Sequence, residues 1–307
     1  MKSADHLSRR SFVKRVGLAT SASWLAASRL TVGQAAPETQ PGAHRITTCN
    51  IRLPLAADDQ EGNGWEARKE MCLDIIAGRR PDVICLQECY GTQLDYFKSR
   101  LPGFEAYGMA NPGPVFNPLN TILFSRSRYT MISAGGFWLS QTPHIAGTKS
   151  WDSSHSRFVN WVDLKVRQSG QVFRVWNTHL DHIGHVAREE QARMITEAAR
   201  AFPEGLPQIL TGDMNANPTH PAIKLLKREG WIDLYGLVHG QEGPAFTFHA
   251  FWGPEYDTKA APGRVRGQID WIFGRGPVKA LAAEVVRDGR NGRYPSDHYF
   301  ISADVAI

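Results

Sequence analysis

The sequence is poor in cysteine, and its main part has no long apolar run, Ser/Gly-rich linker or internal repeat. The four cysteines, Cys49, Cys72, Cys85 and Cys89, lack the spacing of a zinc site. We therefore expect buried free thiols, with a bridge such as Cys85–Cys89 as the open alternative. Without a linker or a low-complexity tract after Pro41, the rest of the chain is expected to form one domain.

The first 36 residues have the pattern of a twin-arginine export signal. Arg9-Arg10 precede a weakly apolar stretch over residues 16–30, and Ala35-Ala36 suit signal cleavage. The alternatives are an amphipathic helix or a membrane anchor, but the stretch is too short and too polar for a stable span. We predict a signal peptide over 1–36, a linker over 37–44 and a domain over 45–307. The protein is then periplasmic or secreted, and the twin-arginine translocation machinery is a partner.

The positive charge of the sequence belongs to this predicted signal. The whole chain has 35 Lys and Arg against 30 Asp and Glu; residues 1–36 hold six of the former and one of the latter, which leaves 29 of each sign. A nucleic-acid-binding enzyme is typically basic. The neutral balance therefore argues against a nuclease without excluding one, and with no apolar surface stripe we expect a monomer.

Short apolar runs alternate with a few helical periods along the domain, which predicts packed β-sheets with helices outside them. The predicted helices are Trp65–Gly78 and His185–Phe202, the latter with an inward stripe of Gln191, Met194, Ile195 and Ala198. The predicted strands are Arg45–Asn50, Asp82–Glu88, Thr121–Ser125, Phe158–Val166, Val172–His179, Gln208–Gly212, Ile269–Phe273 and Tyr299–Val305.

Polar side chains stand at or beside the ends of six of these apolar runs: Asn50, Glu88, His179, Asp213 with Asn215, Asp270, and Asp297 with His298. Each residue alone has an ordinary explanation, such as turn chemistry for Asn or loop capping for Glu. Together they supply the carboxylate, amide and imidazole groups of a hydrolytic site for a hard metal ion.

Two of these motifs allow a more specific prediction. If residues 213–215 are extended, Asp213 and Asn215 point the same way and share one site; an Asx-turn is the alternative. Asp297 and His298 are adjacent and should face opposite ways on a strand. His298 can then meet an acid such as Asp270, which would raise its pKa and suit it to binding phosphate.

The domain resembles the endonuclease/exonuclease/phosphatase superfamily, which has the DNase I-like fold. The matching segments occur in the family's order: Thr48-Cys49-Asn50-Ile51-Arg52, Leu86-Gln87-Glu88, Asn177-Thr178-His179-Leu180, Gly212-Asp213-Met214-Asn215, Ile269-Asp270-Trp271-Ile272 and Ser296-Asp297-His298. The resemblance implies a four-layer α/β sandwich of two packed mixed sheets flanked by helices, with all six motifs at one edge. It also implies cleavage of a phosphoester that depends on Mg²⁺ or Mn²⁺.

Roles for the site residues follow from the same resemblance. Glu88 resembles the principal metal ligand, with Asn50 and Asp297 at or near the metal. Asp213 would activate the attacking water, with Asn215 orienting it. His298, held by Asp270, would bind a phosphoryl oxygen, and His179 would contact the phosphate or protonate the leaving oxygen. Arg157, His249 and Asn177 are the predicted substrate-binding residues.

Substrate choice should depend on the loops above this site. The loop over residues 140–156 carries His144, Lys149, Trp151 and His155, and the loop over 253–267 carries Tyr256, Lys259, Arg264 and Arg266. These groups could bind a second phosphate or a headgroup, or could simply be solvated. We predict an exported phosphoesterase that acts on a phosphomonoester or phosphodiester of a small metabolite, sugar phosphate or headgroup. A secreted nuclease and a catalytically inactive binding module are the alternatives.

Overall fold

The computed structural model describes residues 42–109, 120–240, 243–261 and 267–307. The strands are β1 His44–Asn50, β2 Val83–Gln87, β3 Phe104–Tyr107, β4 Ile122–Ser125, β5 Tyr129–Trp138, β6 Phe158–Val166, β7 Val172–His179, β8 Gln208–Asp213, β9 Ile232–Asp233, β10 Asp270–Arg275, β11 Lys279–Val286 and β12 Phe300–Ala306. The helices are α1 Ala56–Gln60, α2 Trp65–Gly78, α3 Gly91–Arg100, α4 His185–Arg200, α5 Pro221–Arg228, α6 Leu234–His239 and α7 Tyr256–Lys259.

The strands form two six-stranded sheets of similar design. The first has the order β11-β12-β1-β2-β4-β3 and the second the order β5-β6-β7-β8-β10-β9. Each sheet contains one parallel pair, β1 with β2 and β7 with β8, and its other neighbours are antiparallel. The carboxyl ends of β1, β2, β7 and β8 and the amino ends of β10 and β12 therefore lie along one edge.

Three apolar clusters separate four layers. Between the sheets, Ile46 and Val83 of the first pack with Val162, Val175 and Ile209 of the second. The outer face of the first sheet is covered by α2 and α3, and that of the second by α4 and α5. Strands buried on both faces in this way have few polar positions until they end, which is the pattern read from the sequence. The predicted four-layer sandwich of two mixed sheets is confirmed.

Most predicted elements are present, with small shifts at their ends. The bounds of α2, β6 and β7 are as predicted, whereas α4 ends at Arg200 and β10 begins at Asp270. β1 begins at His44, one residue before the predicted start of the domain, because His44 pairs with Val305 of β12. The predicted stripe of α4 is only half right: Gln191 and Ile195 are buried, but Met194 and Ala198 are only partly so.

Several sequence predictions fall on residues outside the described ranges. These are the signal peptide over 1–36, residues 37–41 of the linker, and Arg264 and Arg266 of the second loop. All four cysteines are free and buried, as expected. Within residues 42–109, 120–240, 243–261 and 267–307, no helix is both long enough and apolar enough to span a membrane.

Candidate active site

The two sheets bring the predicted strand-end residues together at their common edge. In the second sheet Asp213 is the register partner of both His179 on β7 and Asp270 on β10. In the first sheet Asn50 pairs with Gln87, directly before Glu88. The site therefore forms because parallel strands end, and antiparallel strands begin, at the same level of the sandwich.

Asp213, Asp270 and His298 form the buried centre of the site, each at most 5 % exposed. His298 Nδ1 lies 2.9 Å from Asp270 Oδ2, and His298 Nε2 lies 3.7 Å from Asp213 Oδ2. Burial alone would lower the pKa of His298, but the charge and hydrogen bond of Asp270, with Asp213 and Asp297 nearby, raise it to about 10. His298 is therefore an imidazolium near neutral pH, suited to binding an anionic phosphoryl oxygen.

Whereas the site stabilises the charged form of His298, it stabilises the neutral form of Asp213. Burial first, and then the negative charge of Asp270, raise its pKa to about 7, against the lowering effect of His298. A carboxylate with this pKa exists partly ionised at neutral pH and can take a proton from water. The backbone N–H of Asn215 donates to its Oδ1 at 2.9 Å, and the amide of Asn50 donates to its Oδ2 at 3.0 Å. These two donors fix the orientation of the carboxylate.

The chain is not extended after Asp213, contrary to the assumption about residues 213 and 215. Asn215 has a φ of 46°, and its N–H closes an Asx-turn onto Asp213. The side-chain amide of Asn215 donates to the carbonyl oxygen of Leu180 at 3.0 Å. Asn215 therefore holds Asp213 through its backbone, and its predicted contact with water or phosphate stays a prediction.

Glu88, Asn50 and Asp297 are the predicted metal ligands. Asn50 Nδ2 lies 3.3 Å from Glu88 Oε1, while its Oδ1 accepts from the backbone N–H of Arg52. Asn50 thus presents its donor side to the acids, and ligation would require its amide to turn. Asp297 Oδ2 lies 3.2 Å from Arg52 Nη1. Arg52, Glu88 and Asn215 all have positive φ, an uncommon backbone conformation that concentrates at functional sites.

The residues at this edge fit a divalent ion. Glu88, Asp213, Asp270 and Asp297 supply carboxylate oxygens, the ligands that Mg²⁺ and Mn²⁺ prefer. Asp270 Oδ1 is buried without a hydrogen-bond partner among the described residues, and the raised pKa of Asp213 marks negative charge that is not fully compensated. Ligand atoms of Asp213, Asp270 and His298 lie within 4.8 Å of one another. Since His298 is protonated, the carboxylates are the groups able to bind the ion.

His179 is a neutral imidazole next to Asp213. Its Nε2 lies 3.5 Å from Asp213 Oδ2, and its buried Nδ1 has no partner among the described residues. Burial, and then Arg157, His298 and His182, lower its pKa well below the usual value. A neutral ring can donate one N–H to a phosphate but carries no extra proton for a leaving group. Of its two predicted roles, phosphate contact is the one that this environment supports.

Two of the three predicted substrate-binding residues lie below the site. Asn177 is fully buried and connects the sheets: its Nδ2 donates to the carbonyl oxygens of Leu86 and Thr121, and its Oδ1 accepts from Gln87 and Thr211. His249 is also fully buried, among Tyr294 and Tyr299, and burial lowers its pKa to about 3. Neither side chain reaches the surface. Arg157 is different, since its guanidinium lies beside the site next to His182.

Sequence reasoning did not assign a role to Arg68, which fixes the loops that carry the site. Its guanidinium, 2 % exposed, donates to the carbonyl oxygens of Ile51, Arg52 and Pro295. It thereby connects the loop after β1, with Asn50, to the segment before His298. The five N–H donors of a guanidinium lie in one plane, which suits Arg68 to joining several carbonyl groups.

Comparison with known proteins now decides the family. The model of the endonuclease/exonuclease/phosphatase family matches residues 47–298. The chain belongs to this family. Members of the family are metal-dependent hydrolases of phosphoesters, which agrees with the predicted enzyme class and with the carboxylates at the site.

Two solved structures and one curated protein illustrate the similarity. The chain is 27 % identical to a mannosyl-6-phosphatase of Bacteroides thetaiotaomicron, with 86 % of this chain and 100 % of that chain covered and a TM-score of 0.74. It is 27 % identical to another family member of the same organism, over 86 % of this chain and 97 % of that one, with a TM-score of 0.73. It is 28 % identical to Nocturnin of Drosophila melanogaster over 173 residues, 53 % of this chain and 26 % of that protein. The chain therefore spans about a quarter of this curated relative.

Proposed function

We propose that this protein is an exported, divalent-metal-dependent phosphoesterase that acts on a small phosphorylated metabolite, with sugar phosphates as the favoured class. The observation that carries the proposal is the pairing of a proton-accepting Asp213 with an imidazolium at His298, both buried at the edge where six motifs meet. The similarity to a mannosyl-6-phosphatase supports the sugar phosphate class. The twin-arginine pattern over residues 1–36 supports export.

In the proposed reaction, Asp213 takes a proton from a water molecule placed in line with the scissile bond. His298 binds a phosphoryl oxygen and is kept protonated by Asp270, while His179 donates its N–H to the phosphate. A bound Mg²⁺ or Mn²⁺, held by Glu88 with Asn50 and Asp297 nearby, would neutralise charge that develops on the phosphoryl oxygens. The water oxygen bonds to phosphorus as the bond from phosphorus to the ester oxygen breaks, and the leaving alkoxide takes a proton from solvent. Positioning and charge stabilisation then account for hydrolysis without a covalent intermediate.

A nuclease is the second candidate, and it is less well supported. The chain outside residues 1–36 has equal numbers of basic and acidic residues, whereas affinity for nucleic acid depends mainly on neutralising phosphates. We also propose that the enzyme acts as a monomer. A catalytically inactive binding module is the candidate from another class, and the intact acids, amides and histidines of the site argue against it.

The test is a metal-dependent assay of the purified protein. The protein is stripped with EDTA and assayed with and without Mg²⁺ or Mn²⁺ on p-nitrophenyl phosphate, bis-p-nitrophenyl phosphate, a panel of sugar phosphates, and plasmid DNA. We expect metal-restored hydrolysis of a sugar phosphate. Hydrolysis of DNA alone would support the nuclease, and folded, metal-binding protein without turnover of any substrate would support the binding module.

A further inference from the structure

A second group of polar side chains lies next to the catalytic edge. It consists of Arg157, directly before β6, together with His155 in the preceding loop and His182 in the loop after β7. We call these three residues the anion rim. His155 and His182 are exposed, and their ring centroids are 5.1 Å apart. Because His182 follows catalytic His179 by three residues, the anion rim borders the site where the phosphate is expected.

Buried Asp181 holds the anion rim in place. Its Oδ2 accepts from the N–H groups of Ser154 and His155 and from the hydroxyls of Ser153 and Ser154, at 2.8–3.1 Å. Its Oδ1 accepts from the N–H groups of Ile183 and Gly184. One carboxylate thereby ties the loop that carries His155 to the loop that carries His182. A fixed arrangement of this kind is what a binding site requires.

The guanidinium of Arg157 is only partly satisfied by the protein. Its side chain is 11 % exposed, its Nε has no hydrogen-bond partner among the described residues, and its Nε stays 3.9 Å from Asp181 Oδ2. Its Nη2 donates to Nδ1 of His182 at 3.3 Å. Neutral His182 must then carry its hydrogen on Nε2, so it presents a donor. Arg157 and His182 thus offer N–H groups from neighbouring positions.

These contacts favour an anion over a metal ion. His155, Asp181 and His182 have the side-chain types and spacing of a metal site. However, Oδ2 of Asp181 already accepts from four donors, and Nδ1 of His182 faces the Arg157 guanidinium. A cation would have to displace these donors and lie beside a permanent positive charge. An anionic group would instead meet the permanent positive charge of Arg157.

The anion rim also acts electrostatically on the catalytic residues. After burial, the charge of Arg157 is the largest influence that lowers the pKa of His179, and Glu88 and Asp213 in turn act on the pKa of Arg157. The two sites are therefore close enough for one small molecule to occupy both.

We propose that the anion rim binds a second anionic group, a phosphate or a carboxylate, carried by the molecule whose phosphoester is hydrolysed. This inference rests on the proposed phosphoesterase function and names its substrate class: a sugar or similar metabolite with two negatively charged groups. Arg157 is the main contact, because it is the permanent charge, and His182 and His155 flank it.

The test compares substrates that share one phosphoester and differ in the second group. The full-length protein with Mg²⁺ is assayed on glucose 6-phosphate, glucose 1,6-bisphosphate and 6-phosphogluconate. We expect kcat/KM to be about tenfold or more higher for a two-anion substrate, roughly the value of one hydrogen bond to a charged group. Preference for the bisphosphate indicates a phosphate subsite, and preference for the gluconate a carboxylate subsite.

Variants then assign the preference to the anion rim. In Arg157→Gln and His182→Gln, the ratio of kcat/KM for the two-anion substrate to kcat/KM for glucose 6-phosphate should come close to one. The main cause should be a higher KM for the two-anion substrate. Lys165→Gln, which removes an exposed cation from the far end of β6, should keep the wild-type ratio. A wild-type ratio near one, or variants that reduce both values equally, would overturn the proposal.

Binding measurements separate this proposal from the proposed function. Calorimetric titration with inorganic pyrophosphate measures binding without turnover. We expect pyrophosphate to bind at least tenfold more weakly to Arg157→Gln than to the wild type, and equally well to Lys165→Gln. That result supports the anion rim even if no phosphoester is cleaved. Equal binding by all three proteins overturns it. A rise in melting temperature with Zn²⁺ that is lost in both His155→Gln and His182→Gln would identify a metal site instead.

Discussion

Strand β1 connects two buried clusters of charge that differ in how completely they are paired. At its start, Arg45 Nε and Nη2 donate to both oxygens of Asp304 at 2.6 and 2.7 Å, and its backbone N–H donates to Asp82. At its end, Asn50 contacts Asp213 and half-buried Glu88. Asp213 shares its buried site with Asp270 and His298. The same strand therefore begins in a structural ion pair and ends at the candidate active site.

The difference lies in the balance of charge and not in burial. Asp304 is 5 % exposed and Asp213 is 2 % exposed. Asp304, however, meets a guanidinium in bidentate geometry, and Arg128 joins Asp82 beside it. Among the described residues, Asp213 is contacted by amide donors, by neutral His179 and by His298, which Asp270 also holds. Its pKa is therefore raised to about 7 by burial and by Asp270. Incomplete pairing leaves a carboxylate able to exchange a proton, and full pairing makes it a structural element.

The largest expected effect comes from Asp213→Asn. The amide cannot accept a proton from water, so kcat/KM for p-nitrophenyl phosphate should fall about 100- to 10,000-fold. The melting temperature should stay the same or rise, because the change removes one of two repelling buried acids. Activity close to wild type would remove Asp213 from its role as base.

The same substitution at the other cluster should act on stability instead. Asp304→Asn leaves the Arg45 guanidinium buried without its carboxylate, and the free energy of unfolding should fall by about 3–5 kcal/mol. Chemical denaturation measures this loss, and kcat/KM at a temperature where the variant is folded should stay within a few-fold of wild type. If Asp304→Asn instead abolished activity and kept stability, the contrast between the two clusters would be wrong.

A smaller effect is expected for Asp270→Asn, which leaves Asp213 intact. Burial lowers the pKa of His298, and only the acids around it, Asp270 foremost, raise it to about 10. Without the Asp270 charge, the imidazolium should lose its proton at lower pH. We expect kcat/KM to fall about 10- to 100-fold at pH 8 and less at pH 6. The pH–rate profile measures this, with Asp270→Glu as the conservative control; an unchanged alkaline limb would contradict it.

The last expectation concerns the pH dependence of stability in EDTA. Asp213 has a folded-state pKa of about 7, above the ordinary 3.8, so the folded protein binds more protons between these values and stability should fall as pH rises from about 4 to 7. His298 has a folded-state pKa of about 10 against 6.5, so its stabilisation is present below pH 6.5 and is lost towards pH 10. Denaturation series should show the first decline weakened in Asp213→Asn and the second in His298→Gln.

The fold was predictable where strands are buried on both faces and less so at the sheet edges. β6 and β7 are rich in buried β-branched and aromatic residues, and both were bounded correctly from the sequence. The edge strand β5 was missed, since it is half exposed and contains Gly135 and Gly136, which resemble a loop. Gly135 is required there by packing: a Cβ would lie 2.6 Å from the Trp161 ring. Edge strands β3 and β11 were also missed, and both are only partly buried.

The site was predictable in its chemistry and less so in its contacts. The contact between His298 and Asp270 was expected and is present at 2.9 Å. The burial of Asn177 and His249 was not expected. Asn177 faces the same way as His179 but lies two residues before it, where its side chain contacts Gln87 and the carbonyl oxygen of Leu86 in the other sheet. How deep a polar side chain lies between the sheets depends on its contacts with distant segments, and a sequence motif does not contain that information.

The sequence by itself determined that packed sheets lie beneath outer helices and which acids, amides and histidines stand at the strand ends, because apolar runs and the residues that end them are local properties. The four-layer sandwich was implied by the resemblance of its motifs to the endonuclease/exonuclease/phosphatase family. Only the tertiary structure decided which charges are paired. Arg45 meets Asp304, which lies 259 positions away, whereas Asp213 meets Asp270 without a guanidinium. Pairing of buried charges depends on sheet register and on contacts between distant segments, and these exist only once the chain has folded.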